Sequence, residues 1–199
     1  MSDDTPPAAD RALLRQHRER AANNDAPAFL TAGIVAHVGI ADDHGPVVIP
    51  MTYQFDAAKP DRLYVHGAHN SRLLEAVASG APVCVTVTIA DGLVYSKTAL
   101  NHSVNYRSVV VFCHAAPQQP TGDEARNILH AMISRYWPGR TAGVDFEVTP
   151  DKHVDATNLV ALQIDAMSAK TRAGGSNGPG DDDPAVPGTA GVTELRPGY

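Results

Sequence analysis

The stretch LYVHGAHNSRLLEAV, residues 63–77, joins a short apolar run to the start of a helix. The apolar run predicts a strand over residues 61–68, and the leucine pair that follows the polar HNSR predicts a helix over residues 71–79. Gly80 then stands at the C′ position, where glycine commonly ends a helix. The sequence therefore places the polar segment HNSR at a junction between a strand and a helix.

That junction has the chemistry of an anion site. Asn70 and Ser71 are good N-cap residues, and the first turn of a helix presents free N–H groups at the positive end of its dipole. Arg72 adds a guanidinium that can grip two oxygens of a phosphate at once. The alternative interpretation is an ordinary helix cap followed by a solvated arginine, and on this stretch alone that alternative is favoured.

The rest of the chain is dominated by β-type patterns. Residues 31–41 and 46–55 predict a hairpin closed by DDHG, and further strands are predicted in PVCVTVTIA, NYRSVVVFCHA and NLVALQIDAMS. Residues 9–21 predict a short amphipathic helix. Thr121 and Glu124 form a capping-box pattern before a second helix. Six strands with few interposed helices indicate a mainly β protein, an antiparallel barrel with flanking helices.

Composition divides the chain and excludes several classes. We expect an N-terminal helical extension over residues 1–24, a barrel domain over 25–172 and a Gly/Pro-rich loop or lid over 173–199. The net charge of −6 without a block of like charges argues against nucleic acid as a partner. With neither a secretory h-region nor an apolar membrane span, we expect a cytoplasmic protein that does not bind membranes.

No familiar catalytic or metal motif stands out. Cys84 and Cys113 lie in strand-like runs and give no disulfide framework, and we read them as reduced core thiols. His66 and His69 lack the spacing of a metal pair, so no metal site is expected. The chain has no P-loop, no G-x-G-x-x-G and no G-x-S-x-G. Nucleoside triphosphate, Rossmann-type and serine-hydrolase chemistry are therefore unsupported.

A second polar group opens an otherwise apolar strand. NHSVNYRSVVVF, residues 101–112, gathers asparagine, tyrosine, arginine and serine ahead of four apolar residues. A buried strand rarely begins with such a group unless something satisfies its hydrogen bonds. The alternative is an exposed strand end with Arg107 in solvent and Tyr106 as an aromatic at the rim.

Taken together, five segments carry a family resemblance: VVIPMTYQFD, LYVHGAHNSRLLEAV, PVCVTVTIADGLV, NYRSVVVF and MSAKTRAG. In this order, from about residue 29 to 172, they resemble the FMN-binding split-barrel proteins related to pyridoxamine 5′-phosphate oxidase, and more narrowly the nitroimidazole-reductase-like branch. The resemblance implies a six-stranded antiparallel split barrel of Greek-key type. It also implies a homodimer that binds two FMN molecules at its interface.

The resemblance also implies site residues. The backbone of the strand that contains VIPMTY would contact the polar edge of the flavin and its ribityl chain. Val65 and His66 would close on the flavin. Ser71 and Arg72 would hold the phosphate. A third group would reach the flavin of the other subunit, and a basic pair would contact a phosphate or a substrate anion. The strand residues are Ile49, Pro50, Met51, Thr52 and Tyr53; the third group is Tyr106, Arg107 and Ser108; the basic pair is Lys170 and Arg172.

Two residues depart from the family pattern. Cys113 stands where glycine usually follows the VVVF strand, which affects packing. Thr189 stands where the tail usually has a tryptophan, which puts the contact between tail and active site in doubt.

The function implied by the resemblance is FMN-dependent oxidoreduction. Electrons would pass from a reduced nicotinamide through the flavin to a small acceptor such as a nitroaromatic or a quinone. The alternative is a non-catalytic split-barrel protein that binds flavin, deazaflavin or haem. His66 is the one weak candidate for a proton donor, with a hydrogen-bonded barrel histidine as the other interpretation, so the catalytic residues are unknown.

Overall fold

Antiparallel pairing of long strands forms the body of the protein, which a computed structural model describes over residues 8–195. The strand order is β1-β2-β3-β6-β5-β4-β7, and an additional β1–β4 pairing closes six of the strands into a ring. The strands are β1 (Val35–Asp42), β2 (Gly45–Phe55), β3 (Arg62–Ala68), β4 (Val83–Tyr95), β5 (Ser103–Ala115), β6 (Thr157–Arg172) and β7 (Gly191–Glu194).

Five short helices surround this ring: α1 (Ala8–Arg11), α2 (Ala26–Ala32), α3 (Arg72–Ala78), α4 (Gly122–Tyr136) and α5 (Asp151–Asp155). The six-stranded antiparallel barrel is confirmed, as is the helix after β3, with Gly80 in a left-handed conformation just beyond its end. The helix predicted over residues 9–21 is wrong in extent, because α1 ends at Arg11. The sequence patterns did not predict α2, α5 or β7. The proposed domain boundaries stay a prediction, and residues 1–7 and 196–199 lie outside the described residues.

Alternate residues of the strands point into the barrel and form its core. The largest fully buried side chains include Tyr53, Leu63, Val65 and Leu162. Cys113 shares this interior, where burial raises the pKa of its thiol and its Sγ lies 3.7 Å from the carbonyl oxygen of Val83. The cysteine that departs from the family pattern is therefore a packed core residue.

A bulge interrupts the predicted alternation of β6. Phe112 pairs with Ala166 but Cys113 pairs with Ile164, so Asp165 is an extra residue on β6. An extra residue in one strand shifts the side-chain alternation by one position. After the bulge, Met167 and Ala169 contact the core.

The longest helix, α4, covers the outer face of β3 and β6. Ala125 of this helix packs with Tyr64, Leu159 and Ala161 in a second apolar cluster outside the barrel. The predicted capping box does not form, because the side chain of Thr121 makes no cap hydrogen bond. The residue after it, Gly122, has a φ of +54°, which departs from the helical geometry that a capping box requires.

Tyr53 contacts the end of α2 next to the C-terminal end of α4. The Tyr53 hydroxyl donates to the carbonyl of Leu30 at 2.5 Å and lies 3.2 Å from the carbonyl oxygen of Gly33. Arg135 donates to the carbonyls of Leu30, Gly33 and Tyr53 and stacks over the Tyr53 ring at 4.3 Å. The backbone N–H of Tyr53 donates to the hydroxyl of Tyr136 at 3.0 Å. Burial raises the pKa of Tyr53 to about 12, so its hydroxyl keeps its proton at neutral pH.

We predict that Arg135→Met lowers the free energy of unfolding by about 3 kcal/mol, because four carbonyl oxygens, including that of Thr31, lose a charged donor. Denaturant unfolding at neutral pH measures the change. The control is Arg140→Met, an exposed arginine just beyond α4, for which we expect a change within about 0.5 kcal/mol. Equal losses in the two variants would contradict a special role for Arg135.

Candidate functional site

The split between β2 and β3 creates an unpaired strand edge. β2 pairs with β3 only from Tyr53 to Phe55, whereas its pairing with β1 extends from Gly45 to Thr52. β3 continues to Ala68 beside β6 after it has left β2. Residues 46–52 of β2 therefore have a ladder partner on one side only.

The direction of the backbone groups on this edge follows from the regular alternation of a strand. The N–H and C=O of Tyr53 meet α4, on the side of β2 that adjoins β1 farther along the strand. Because successive residues point to opposite sides, the backbone groups of Thr52, Pro50 and Val48 face the split. Pro50 has no N–H to leave unpaired, which suits a strand edge. This edge offers carbonyl acceptors and spaced N–H donors to a ligand.

A cleft of about 280 Å³ lies where the split meets α3. Val47 and Ile49 of β2 line it from one side, and the segment 70–73 lines it from the other. The remaining lining residues, Ile40 and Asp42, belong to β1. The structure thus brings the predicted residues Ile49, Ser71 and Arg72 together at one cleft.

Ser71 and Arg72 play different parts at this cleft. The Ser71 hydroxyl accepts a hydrogen bond from the backbone N–H of Leu74 at 3.4 Å, so it caps α3 as the ordinary interpretation holds. The Arg72 side chain is exposed and has no hydrogen bond or ion pair within residues 8–195. Its guanidinium is therefore available to an anion at the cleft.

The other predicted residues of β2 and β3 differ in what they present. Pro50 and Thr52 are exposed, Met51 packs against the core, and Tyr53 is part of the core. Val65 is completely buried, so its side chain is not accessible to a ligand. The roles proposed for Tyr53 and Val65 stay predictions.

His66 lies on the face of β3 that carries Tyr64, opposite to Val65 and Gly67. Its Nδ1 atom is buried and has no hydrogen-bond partner within the described chain. Desolvation lowers the pKa of the imidazole, which favours its neutral form. A buried ring nitrogen without a hydrogen-bond partner is uncommon in folded proteins, and His66 does not line the cleft next to α3.

The second predicted group lies on β5 and β6. Tyr106 pairs with Arg172 and Ser108 with Lys170. Between them, Arg107 donates two hydrogen bonds to Asp91, at 2.9 and 2.6 Å, and this interaction raises the pKa of the guanidinium. Asp91 was not identified from the sequence, because an acid sixteen positions away carries no local signal.

Hydrogen bonds also fix Arg172. Its guanidinium donates to Asn105 and to the carbonyl oxygen of Gly175 at 3.2 Å. Asn105 in turn donates to the carbonyl of Gly174, so this part of the strand pair is tied to the start of the C-terminal loop.

The predicted residues around β3 and those on β5 and β6 form two groups that are far apart along β6 within one chain. His66 faces Leu159 near the start of β6, whereas Lys170 lies near its other end. The structure therefore forms two half-sites, and one chain does not bring all of the predicted residues together.

The sequence comparison assigns the family. Residues 22–171 match the family model described as pyridoxamine 5′-phosphate oxidase. The chain belongs to this family. A search of curated protein sequences found no match.

Solved structures with the family's fold match most of the chain. The FAD and haem binding protein from Mycobacterium smegmatis is 29% identical, with a TM-score of 0.75 over 88% of this chain and 84% of that one. A flavocytochrome from Azotobacter vinelandii is 27% identical, with a TM-score of 0.77 over 97% and 87%. A candidate 5-nitroimidazole resistance protein from Bacteroides thetaiotaomicron shares the fold at 21% identity, with a TM-score of 0.59 over 74% and 82%.

Two further observations concern the described residues alone. None of their helices has the length and apolar character needed to cross a membrane. Across residues 8–195, no cluster of three or more histidine, cysteine or acidic side chains could hold a metal ion.

We predict that His66→Leu makes protein stability less sensitive to pH between about 7.5 and 5.5. The folded state holds the pKa of His66 below its ordinary value of 6.5. The unfolded chain therefore binds a proton first, and stability present above that value is lost as pH falls. Urea unfolding across this range measures the slope. His44→Leu, at the exposed hairpin turn, is the matched control, and a slope unchanged by His66→Leu would contradict the assignment.

Proposed function

We propose that the protein is an FMN-binding oxidoreductase that moves electrons from a reduced nicotinamide to a small acceptor such as a nitroaromatic or a quinone. The observation that carries this proposal is the divergence of β2 from β3, which leaves an open backbone edge ending at the unpaired guanidinium of Arg72. Family membership supports flavin binding, and the split supplies complementary groups for it.

The residues at the split fit the parts of a flavin mononucleotide. Arg72 would bind the phosphate, with the N-terminal turn of α3 held in place by the Ser71 cap. The backbone groups of Thr52 and Pro50 would meet the polar edge of the ring. When bound, the flavin supplies hydride and electron transfer, which no side chain of this chain provides.

A homodimer would complete the site. The cleft at Arg72 is lined by no residue of β5 or β6, so a second copy would supply that half-site. The ion pair with Asp91 holds Arg107 in a fixed position for that role. Four apolar side chains of β1, β2 and the residue that precedes β1 are exposed, as expected of a surface that a partner covers. They are Ile34, Val35, Val48 and Ile49.

The chain's own contribution to the reaction is binding and exclusion of water. Hydrogen-bond donors at the ring edge stabilise negative charge on a reduced cofactor, and nearby cations raise its potential. The ammonium group of Lys170 has no hydrogen bond or ion pair within residues 8–195 and is the free cation of the second half-site. No side chain is assigned as a proton donor, and His66 stays the one candidate.

The structural comparisons favour a second candidate. The two solved structures that match 88% and 97% of this chain are an FAD and haem binding protein and a flavocytochrome. The second candidate is therefore a protein that binds FAD in place of FMN, with haem as a further group. This second candidate includes a non-catalytic protein that binds flavin, deazaflavin or haem.

We expect freshly purified protein to be a yellow dimer with an absorption band near ~450 nm, set by the flavin itself. Mass spectrometry of the ligand released by heat separates FMN from FAD, and a band near ~400 nm would instead identify haem. Light scattering gives the oligomeric state. A colourless monomer that does not change when titrated with FMN would refute the proposal.

We predict that Arg72→Ala weakens FMN binding by about 10- to 100-fold and leaves riboflavin binding nearly unchanged, because only the phosphate meets the guanidinium. Fluorescence quenching of each flavin by the apoprotein measures the two dissociation constants. Lys59→Ala, an exposed cation at the far end of the β2–β3 connection, is the control. Equal weakening of both flavins would remove Arg72 from phosphate binding.

A further inference from the structure

An N-terminal arm, residues 8–25, lies across the outer face of β5 and β6. Its backbone is tied to β6, because the N–H of Ala22 donates to the carbonyl of Ala169 at 2.9 Å. The N–H of Ala169 donates back to the side chain of Asn23 at 2.8 Å. Ala21 also forms a bridge with Lys170. The arm is therefore anchored beside the second half-site.

A groove of about 640 Å³ lies between this arm and the sheet, next to Phe112 and Lys170. Three cationic side chains line it, Arg11, Arg15 and Lys170, with Asp10 as the single carboxylate. None of the three cations has an ion pair among residues 8–195. In a chain with a net charge of −6, such a locally positive groove needs an explanation.

Neighbouring groups position the guanidinium of Arg11 and the main chain of Lys170. The guanidinium of Arg11 lies over the Phe112 ring, 4.5 Å from its centroid. The main chain at Lys170 is fixed by its bridge to Ala21 and by its carbonyl, which lies 3.4 Å from the Ser108 hydroxyl. Leu13 of the arm is 66% exposed and gives the groove an apolar wall. The groove thus combines positioned positive charge with a surface on which a planar base can rest.

We propose that this groove binds the adenosine diphosphate moiety of a nucleotide. Three cations less one carboxylate leave two positive charges, which match the two charges of a pyrophosphate bridge. The apolar wall at Leu13 suits the adenine ring. Two sources share this chemistry, a reduced nicotinamide dinucleotide and FAD. The groove itself stands on the geometry of the arm, whereas the choice between sources rests on the proposed function.

Titration calorimetry at low salt measures the binding of free ADP to the protein and so tests whether the groove binds ADP. We expect Arg15→Gln and Lys170→Met each to weaken ADP binding by about five- to tenfold, and added salt to weaken it further. Arg18→Gln is the matched control, because Arg18 is an exposed arginine of the same arm that does not line the groove. Its affinity should equal that of the wild-type chain.

The source of the nucleotide follows from two paired comparisons. If FAD is the source, Arg15→Gln lowers the affinity for FAD and spares FMN, which lacks the adenosine part. If the reductant is the source, Arg15→Gln raises KM for NADPH and spares reduced nicotinamide mononucleotide, with kcat unchanged. Either result supports the groove.

Failure of this inference is separable from failure of the proposed function. Suppose that the protein binds no flavin, and that ADP affinity falls in the groove variants but not in the control. This result would support ADP binding at the groove and refute the flavin proposal. No ADP binding to the wild-type chain, or an equal loss in Arg18→Gln, would overturn the groove whatever the flavin results.

Discussion

The hydrogen bonds around Tyr53 set the geometry on which the site depends. From this residue to Phe55 β2 is paired with β3, whereas the residues of β2 before Tyr53 have separated from β3. Arg135 and Tyr136 take up the backbone groups of Tyr53, while its hydroxyl binds the end of α2. The point of divergence is therefore fixed by side chains from α4 and β2 together with backbone carbonyls at the end of α2. An unpaired strand edge next to a packed core persists because this network holds it.

The site divides its work between backbone and side chains. In the proposed site, backbone groups on the edge of β2 would provide polar contacts that do not depend on residue type, whereas the charge would come from Arg72 and from the second group on β5 and β6. If two chains share the ligand as proposed, association of the chains and ligand binding would be coupled. In such an arrangement the barrel provides rigidity and each chain contributes part of the ligand's surroundings.

Local patterns in the sequence predicted most of the barrel, but not the contacts that shape the site. The strands and α3 follow from alternation, helical spacing and Gly80, all of which act over a few residues. By contrast, Arg135 meets Tyr53 across 82 positions, and Asp91 meets Arg107 from the neighbouring strand. α1 is shorter than its amphipathic pattern suggests, because the arm gains its hydrogen bonds from β6. The sequence also predicted a helix cap at Asn70 or Ser71, and the structure confirms it at Ser71, whose hydroxyl accepts from the backbone N–H of Leu74.

Pro50 has a consequence for how the protein behaves in a crowded solution. An exposed strand edge with a full row of donors and acceptors invites another chain to extend the sheet, which is a common route to aggregation. Pro50 breaks the row of donors halfway along the open edge of β2, so an incoming strand finds an interrupted ladder. A small molecule needs only a few of these groups and is not hindered in this way. The missing N–H of Pro50 thus lets the protein keep a strand edge open for a ligand while it discourages polymerisation.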